Sequence, residues 1–154
     1  MLFGVLGALL IMLSSGNVDV PATADEPPNP PPPPPSEVAL HRALGMQGAP
    51  YVPGGADPAV GFDCSGLTHW AYAQSGVILS RTTWGQWEES TRVDEPQPGD
   101  LVFFGSGGAI THVGINVDGK SFIHAVDYGK PVQITPYDAP YWSDHLIGFG
   151  RIDS

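Results

Sequence analysis

The sequence predicts an α+β fold in which short helices near the front of the domain, one starting at the single cysteine, pack on an antiparallel sheet of five to six strands. Apolar residues follow helical spacing only in two short stretches before Gly76. Beyond Gly99 the chain breaks into short β-rich runs separated by Gly, Pro and Asp. With 20 Gly and 17 Pro in 154 residues, long helices and coiled coils are excluded.

Residues 1–24 read as a signal peptide or membrane anchor. Leu2 to Leu13 is an apolar run of about a dozen residues, the length of a secretory apolar region, whereas a membrane span needs roughly twenty. Ala22 and Ala24 frame a small-x-small cleavage site that would leave Asp25 as the new N-terminus. A secreted or envelope-associated protein is expected, the N-terminus being its link to a membrane or the cell envelope. Residues 25–35 are a proline-rich linker with six consecutive prolines from Pro30. Without backbone donors such a run is an extended rod of about 3.1 Å per residue, a spacer. The folded domain is expected over 36–154. Ser36 and Glu37 open a first helix that carries Val38, Leu40, Ala43 and Leu44 and ends at Gly45.

In GFDCSGLTHWAYAQSG, from Gly61, the residues Leu67, Trp70, Ala71 and Gln74 repeat at helical spacing. Cys64 therefore lies at a helix N-terminus, where first-turn amides and the macrodipole lower a thiol's pKa and favour the thiolate. On this spacing alone, nucleophile and inert core residue both stay open. The strands follow: Leu101 to Phe104, Val113 to Val117, Ser121 to Ala125, Val132 to Thr135 and Leu146 to Ile152. A three-residue turn with Gly119 left-handed pairs Asn116 with Lys120 and sets His112 opposite His124 on one face. Val113, Ile115, Ile123 and Ala125 fall on the other. A two-residue turn would separate the histidines.

A thiol at a helix start and two facing imidazoles are the parts of a cysteine hydrolase, in which His112 takes the thiol proton and His124 orients His112. The rival is a zinc site of Cys64, His112 and His124, which lacks a close-spaced ligand pair. Hydrolysis needs no metal or other cofactor. His69 points away from the Cys64 face, and His41 and His145 are expected at the surface. Asp100 reads as a turn former. Trp84, Trp87 and Phe104 fit either a core or a groove floor. Six Lys and Arg against sixteen Asp and Glu give a net charge of −10, which excludes nucleic acid as a partner and disfavours electrostatic docking on an anionic wall.

The ordered motifs resemble the NlpC family of papain-like cell-wall endopeptidases: Tyr51 with Gly54 and Gly55, GFDCSGL, Arg81-Thr82 before Gln86, PGDLVFF from Pro98, THVGI from Thr111 and FIHA from Phe122. Pro53 stands where that family usually has a tryptophan. The resemblance, over roughly Ala39 to Ile152, implies a papain-like fold with Cys64 as nucleophile, His112 as base and His124 as third polar residue. It further implies that Tyr51 and the Cys64 amide form the oxyanion pocket and that Asp63, Ser65 and Arg81 line the substrate groove. From the residues alone Tyr51 fits a core aromatic as well as a catalytic role, while Arg81, one of six basic side chains facing a carboxylate-rich substrate, favours binding over a surface ion pair. The substrates implied are peptidoglycan stem peptides, cut between D-glutamate and meso-diaminopimelate, and a monomer is expected. The alternatives are an amidase or acyltransferase with the same trio, or a non-catalytic wall-binding module.

Overall fold

Helix α1 (Pro35–Leu44) grows directly out of the proline run. Proline at the first helical position has its φ already set and lacks only an N–H that would have no partner there. The helix thus starts one residue before Ser36, and no side chain caps it. Glu37 in its first turn and His41 and Arg42 in its last complement the macrodipole. Ala39 and Ala43 form its buried stripe. This computed structural model describes Gly16 and residues 27–153, so the apolar run and the cleavage site expected near the N-terminus lie outside the described residues. Everything that follows belongs to the unit Pro32–Ser154.

A two-stranded hairpin, β1 (Ala56–Asp57) and β2 (Gly61–Phe62), leads into α2 (Cys64–Ala73) and then α3 (Thr83–Glu89). The strands β3 (Thr91–Val93), β4 (Leu101–Ser106), β5 (Ala109–Asn116), β6 (Ser121–His124), β7 (Gln133–Pro136) and β8 (Leu146–Arg151) form one six-stranded sheet in the order β3-β8-β4-β5-β6-β7. Its neighbours all run antiparallel. Helix α4 (Pro140–His145) precedes β8. The five expected strands are all present; β1, β2, β3, α3 and α4 are additional.

Both faces of the sheet are covered, which is why β4 reads as an unbroken apolar run. Leu101, Phe103, Val113, Ile115 and Ile123 pack in one cluster with Ala39, Leu67, Ala71 and Tyr72 of the helices. Val102, Phe104 and Phe122 form a second cluster under Tyr137, Trp142 and Phe149. Phe104 is thus core, while Trp87 packs edge-on against Phe103 under the Arg92 guanidinium and Trp84 stays exposed.

The β5–β6 register corrects the sequence reading. Asn116 pairs with Phe122 and Ile115 with Ile123, not Asn116 with Lys120. The turn does hold three residues, with Gly119 left-handed at φ 80°, but it is Asp118-Gly119-Lys120, closed by Val117 N–H donating to the Ser121 carbonyl at 2.9 Å. Asp118 Oδ1 accepts from the Lys120 and Ser121 amides, and Asn116 Oδ1 from the Gly119 amide, which fixes the turn one residue later than expected. The shift in pairing is two residues, so every side chain keeps its face.

Asp100 makes its turn by accepting from the Gln97 amide at 2.7 Å, and it is buried. Its carboxylate also takes a two-pronged bond from Arg151, at 3.0 and 2.8 Å, tying β4 to the last strand. Replacing Asp100 with Asn should lower stability by about 2 kcal/mol, less than for a fully buried pair because Arg151 can turn towards water. Urea unfolding checks this: the midpoint should fall with an unchanged slope.

Candidate active site

Asp63 is the N-cap of α2 and places Cys64 at its first helical position. Asp63 Oδ1 accepts from the Gly66 amide at 2.7 Å, and Oδ2 accepts from the Gly54 amide and from Arg81 Nη2, each at 2.9 Å. Arg81 also donates to Ser65 Oγ at 2.9 Å and to the Gly55 carbonyl at 3.3 Å. The three groove residues named from the resemblance are therefore bound to one another around the helix start. Gly66 permits this closeness, since a Cβ there would run into the Gly55 carbonyl. Buried Gln86 adds a brace from α3, donating to the carbonyls of Ser65 at 3.0 Å and Ser80 at 2.9 Å and accepting from Thr68 Oγ1.

The thiol lies 3.7 Å from Thr83 Oγ1, and Cys64 packs against the core cluster that includes Val113 of β5. Because Val113 follows His112 in β5, the sulfur sits beside the strand that carries the imidazole. No hydrogen bond joins Sγ to His112 among the described residues. The expected depression of the thiol pKa is not found. Burial pushes it up, and the neighbouring Asp63 carboxylate adds to that, outweighing the bonds from Thr83, Val113 and Ser65. The resting sulfur is a neutral thiol.

His112 Nε2 and His124 Nδ1 are 2.8 Å apart, and His124 Nε2 is 2.8 Å from Thr135 Oγ1. His124 is fully buried. With Ile115 opposite Ile123, the partner of His124 on β5 is Gly114, and His112 reaches it diagonally. Gly114 leaves the space, since a Cβ there would sit 3.2 Å from His124 Cβ. Every buried side-chain nitrogen or oxygen among the described residues has a partner, so His112 Nδ1, which has none, opens to solvent. Burial lowers the His112 pKa to about 4 despite the opposing field of Asp127, and burial and the His112 field lower that of His124 as well. Both imidazoles are neutral at pH 7. Both nitrogens of His124 are engaged, so it has no lone pair for zinc, and among the described residues no three His, Cys, Asp or Glu side chains converge on a metal position.

Tyr51 is half-buried, with its ring 5.5 Å from that of Tyr128. Burial and the fields of Cys64 and Asp63 raise its pKa, which keeps the phenol protonated beside the thiol. His69 is turned away, bonded to the Leu79 carbonyl at 2.8 Å. His145, expected at the surface, is instead partly buried, stacks on Tyr141 and lines a cavity of about 460 Å³ together with His112. The sequence reading missed Thr83, Thr135 and Trp142, whose indole packs against both His112 and His124. Thr135 was findable only through the β6–β7 register, in which it pairs with Phe122, two residues from His124.

Residues 48–151 match the NlpC/P60 family. The chain is 43% identical over 121 residues to the bifunctional muramidase/DL-endopeptidase CwlT of Bacillus subtilis, covering 75% of this chain and 36% of that protein. It is 36% identical over 124 residues to the murein DD-endopeptidase MepH of Escherichia coli, covering 76% of this chain and 46% of that protein. A solved structure from Staphylococcus aureus, similar to a lipoprotein of the NLP/P60 family, superposes with TM-score 0.69 at 39% identity over 78% of this chain and 42% of its own. The chain thus spans less than half the length of these relatives.

The two neutral imidazoles make stability depend on pH. Unfolded, they titrate near 6.5; folded, they bind protons only at lower pH. As pH falls below about 6.5 the unfolded chain takes up protons first, so their contribution to stability, complete above that pH, is progressively lost towards pH 4. The thermal midpoint should drop between pH 7 and 4, and more shallowly in His124→Gln.

Proposed function

The chain belongs to the NlpC/P60 family, and we propose that its domain is a cysteine peptidase that hydrolyses peptidoglycan stem peptides between D-glutamate and meso-diaminopimelate. The observation that carries the reading is the line Thr135, His124, His112 ending in an accessible Nδ1 on the strand beside the Cys64 thiol. A wall-binding module has no use for a thiol and an aligned imidazole pair. For the bond, the DL-endopeptidase name of CwlT supports the glutamyl linkage, and the DD-endopeptidase name of MepH makes the D,D cross-link the competing substrate to assay. Secretion, with the segment up to Ala24 as signal or anchor and peptidoglycan as partner, fits the apolar run at Leu2 to Leu13.

Thiol and imidazole start neutral, so the proton moves as the bond forms. Sγ attacks the carbonyl carbon while its proton passes to His112 Nδ1. The oxyanion is held by the Cys64 amide and the Tyr51 hydroxyl. For Nδ1 to accept, His112 carries its hydrogen on Nε2 and donates it to His124 Nδ1; His124 then donates from Nε2 to Thr135 Oγ1. On collapse the C–N bond breaks and Nδ1–H protonates the departing amine, leaving a thioester on Cys64. Water attacks the thioester as Nδ1 removes its proton, and the carboxylate and free thiol are regenerated. Asp63, Ser65 and Arg81 hold the acyl side of the substrate. No cofactor takes part.

Cys64→Ala should abolish product formation from a defined muropeptide while leaving the circular dichroism spectrum unchanged. His112→Ala should cost about 10³-fold in kcat. His124→Gln, which can still accept from His112, should keep measurable activity, with His124→Ala lower. The acid limb of kcat/KM should lie near pH 4, where His112 becomes protonated. Mass analysis of the products identifies the bond. Release of the glutamyl peptide supports this reading, and cleavage only of D,D cross-links transfers the chemistry to the other bond.

A further inference from the structure

The cavity of about 460 Å³ shares His112 with the site but none of Cys64, Asp63, Ser65 and Arg81. Since His112 must protonate the departing amine, the residue that leaves lies on the His112 side, in this cavity. The loop between β6 and β7 brings two opposite charges into its wall, Asp127 and Lys130. They sit one tight turn apart, the Lys130 amide donating to the Asp127 carbonyl at 3.0 Å.

Their side chains do not neutralise each other. Among the described residues the ion pairs are Arg81 with Asp63 and Arg151 with Asp100, and Lys130 has no side-chain partner. Asp127 Oδ1 accepts only from the neighbouring Tyr128 amide, at 2.7 Å. The carboxylate lines the same cavity as His112, and its field raises the His112 pKa against the effect of burial.

We propose that Asp127 and Lys130 form the subsite for the leaving residue and select one whose side chain ends in a zwitterion, its ammonium on Asp127 and its carboxylate on Lys130. This rests on the endopeptidase reading above, in which meso-diaminopimelate leaves and presents such an end. A lysine in that place would satisfy Asp127 and leave Lys130 without its anion. A norleucine would satisfy neither. Gln133 and His145, also in the wall, supply neutral polar groups around the pair.

The test uses the full chain and three tripeptides, L-alanyl-γ-D-glutamyl followed by meso-diaminopimelate, lysine or norleucine. Wild type should prefer them in that order. Lys130→Gln should reduce the ratio of kcat/KM for diaminopimelate over lysine by about fivefold, the scale of one solvent-exposed ion pair. Asp127→Asn should reduce the ratio of lysine over norleucine by a similar factor. Lys120→Gln, on the distant β5–β6 turn, should leave both ratios alone. Both residues are exposed, so the substitutions do not endanger folding. Unchanged ratios in both variants, with wild type still cleaving, overturn the subsite and leave the endopeptidase reading standing. Cleavage of none of the three by wild type overturns both.

Discussion

A hydrogen bond between two imidazoles, His112 Nε2 to His124 Nδ1 at 2.8 Å, is the contact on which the site depends. It lies at the edge of a buried cluster, under Trp142 and beside Phe104 and Phe122, where neither ring can carry a charge cheaply. Burial therefore imposes the neutral form, and Thr135 Oγ1, 2.8 Å from His124 Nε2, closes the far end of the line. Of the four ring nitrogens only His112 Nδ1 is left without a hydrogen-bond partner. The sheet serves this contact: Gly114 leaves room for the diagonal approach, and α4 brings the indole that shields it.

The sulfur is positioned by separate means. Asp63 fixes where α2 begins, Arg81 and Gln86 hold that start from a second segment, and Gly66 lets the Gly54–Gly55 loop lie against it. The carboxylate that caps the helix also opposes a negative charge on the next residue. Burial, with Asp63 adding to it, outweighs the groups that would favour the anion, Thr83 and the Val113 and Ser65 amides, so the thiol rests protonated. In the proposed mechanism a neutral thiol beside a neutral imidazole requires the proton to move during attack rather than before it, and a protonated thiol resists adventitious oxidation.

Much of this was legible in the residues. Helical spacing after Asp63 and the short runs beyond Gly99 placed α2 and five strands, because those signals are local. The facing histidines were legible for a less secure reason. The turn holding Gly119 lies one residue later than expected, since Asp118 and Asn116 side chains close it there, and the pairing moves by two. Only because a strand repeats every two residues did His112 stay on the His124 face. Thr83, Thr135 and Trp142 were invisible because their places depend on how α3, β7 and α4 pack, and these contacts span long stretches of chain. The thiol's ionisation was misjudged for the same kind of reason: a helix start is readable locally, whereas the depth of its burial is a property of the assembled fold.

The claim most exposed to experiment is that thiol and imidazole are both uncharged at rest. With one cysteine in the chain, ultraviolet absorbance of the thiolate reports Cys64 alone. Titrated across the pH range, wild type should show thiolate only above the ordinary cysteine value while muropeptide cleavage already proceeds at neutral pH. A full thiolate signal below pH 7, lost in His112→Ala, would show a resting thiolate–imidazolium pair and contradict the account.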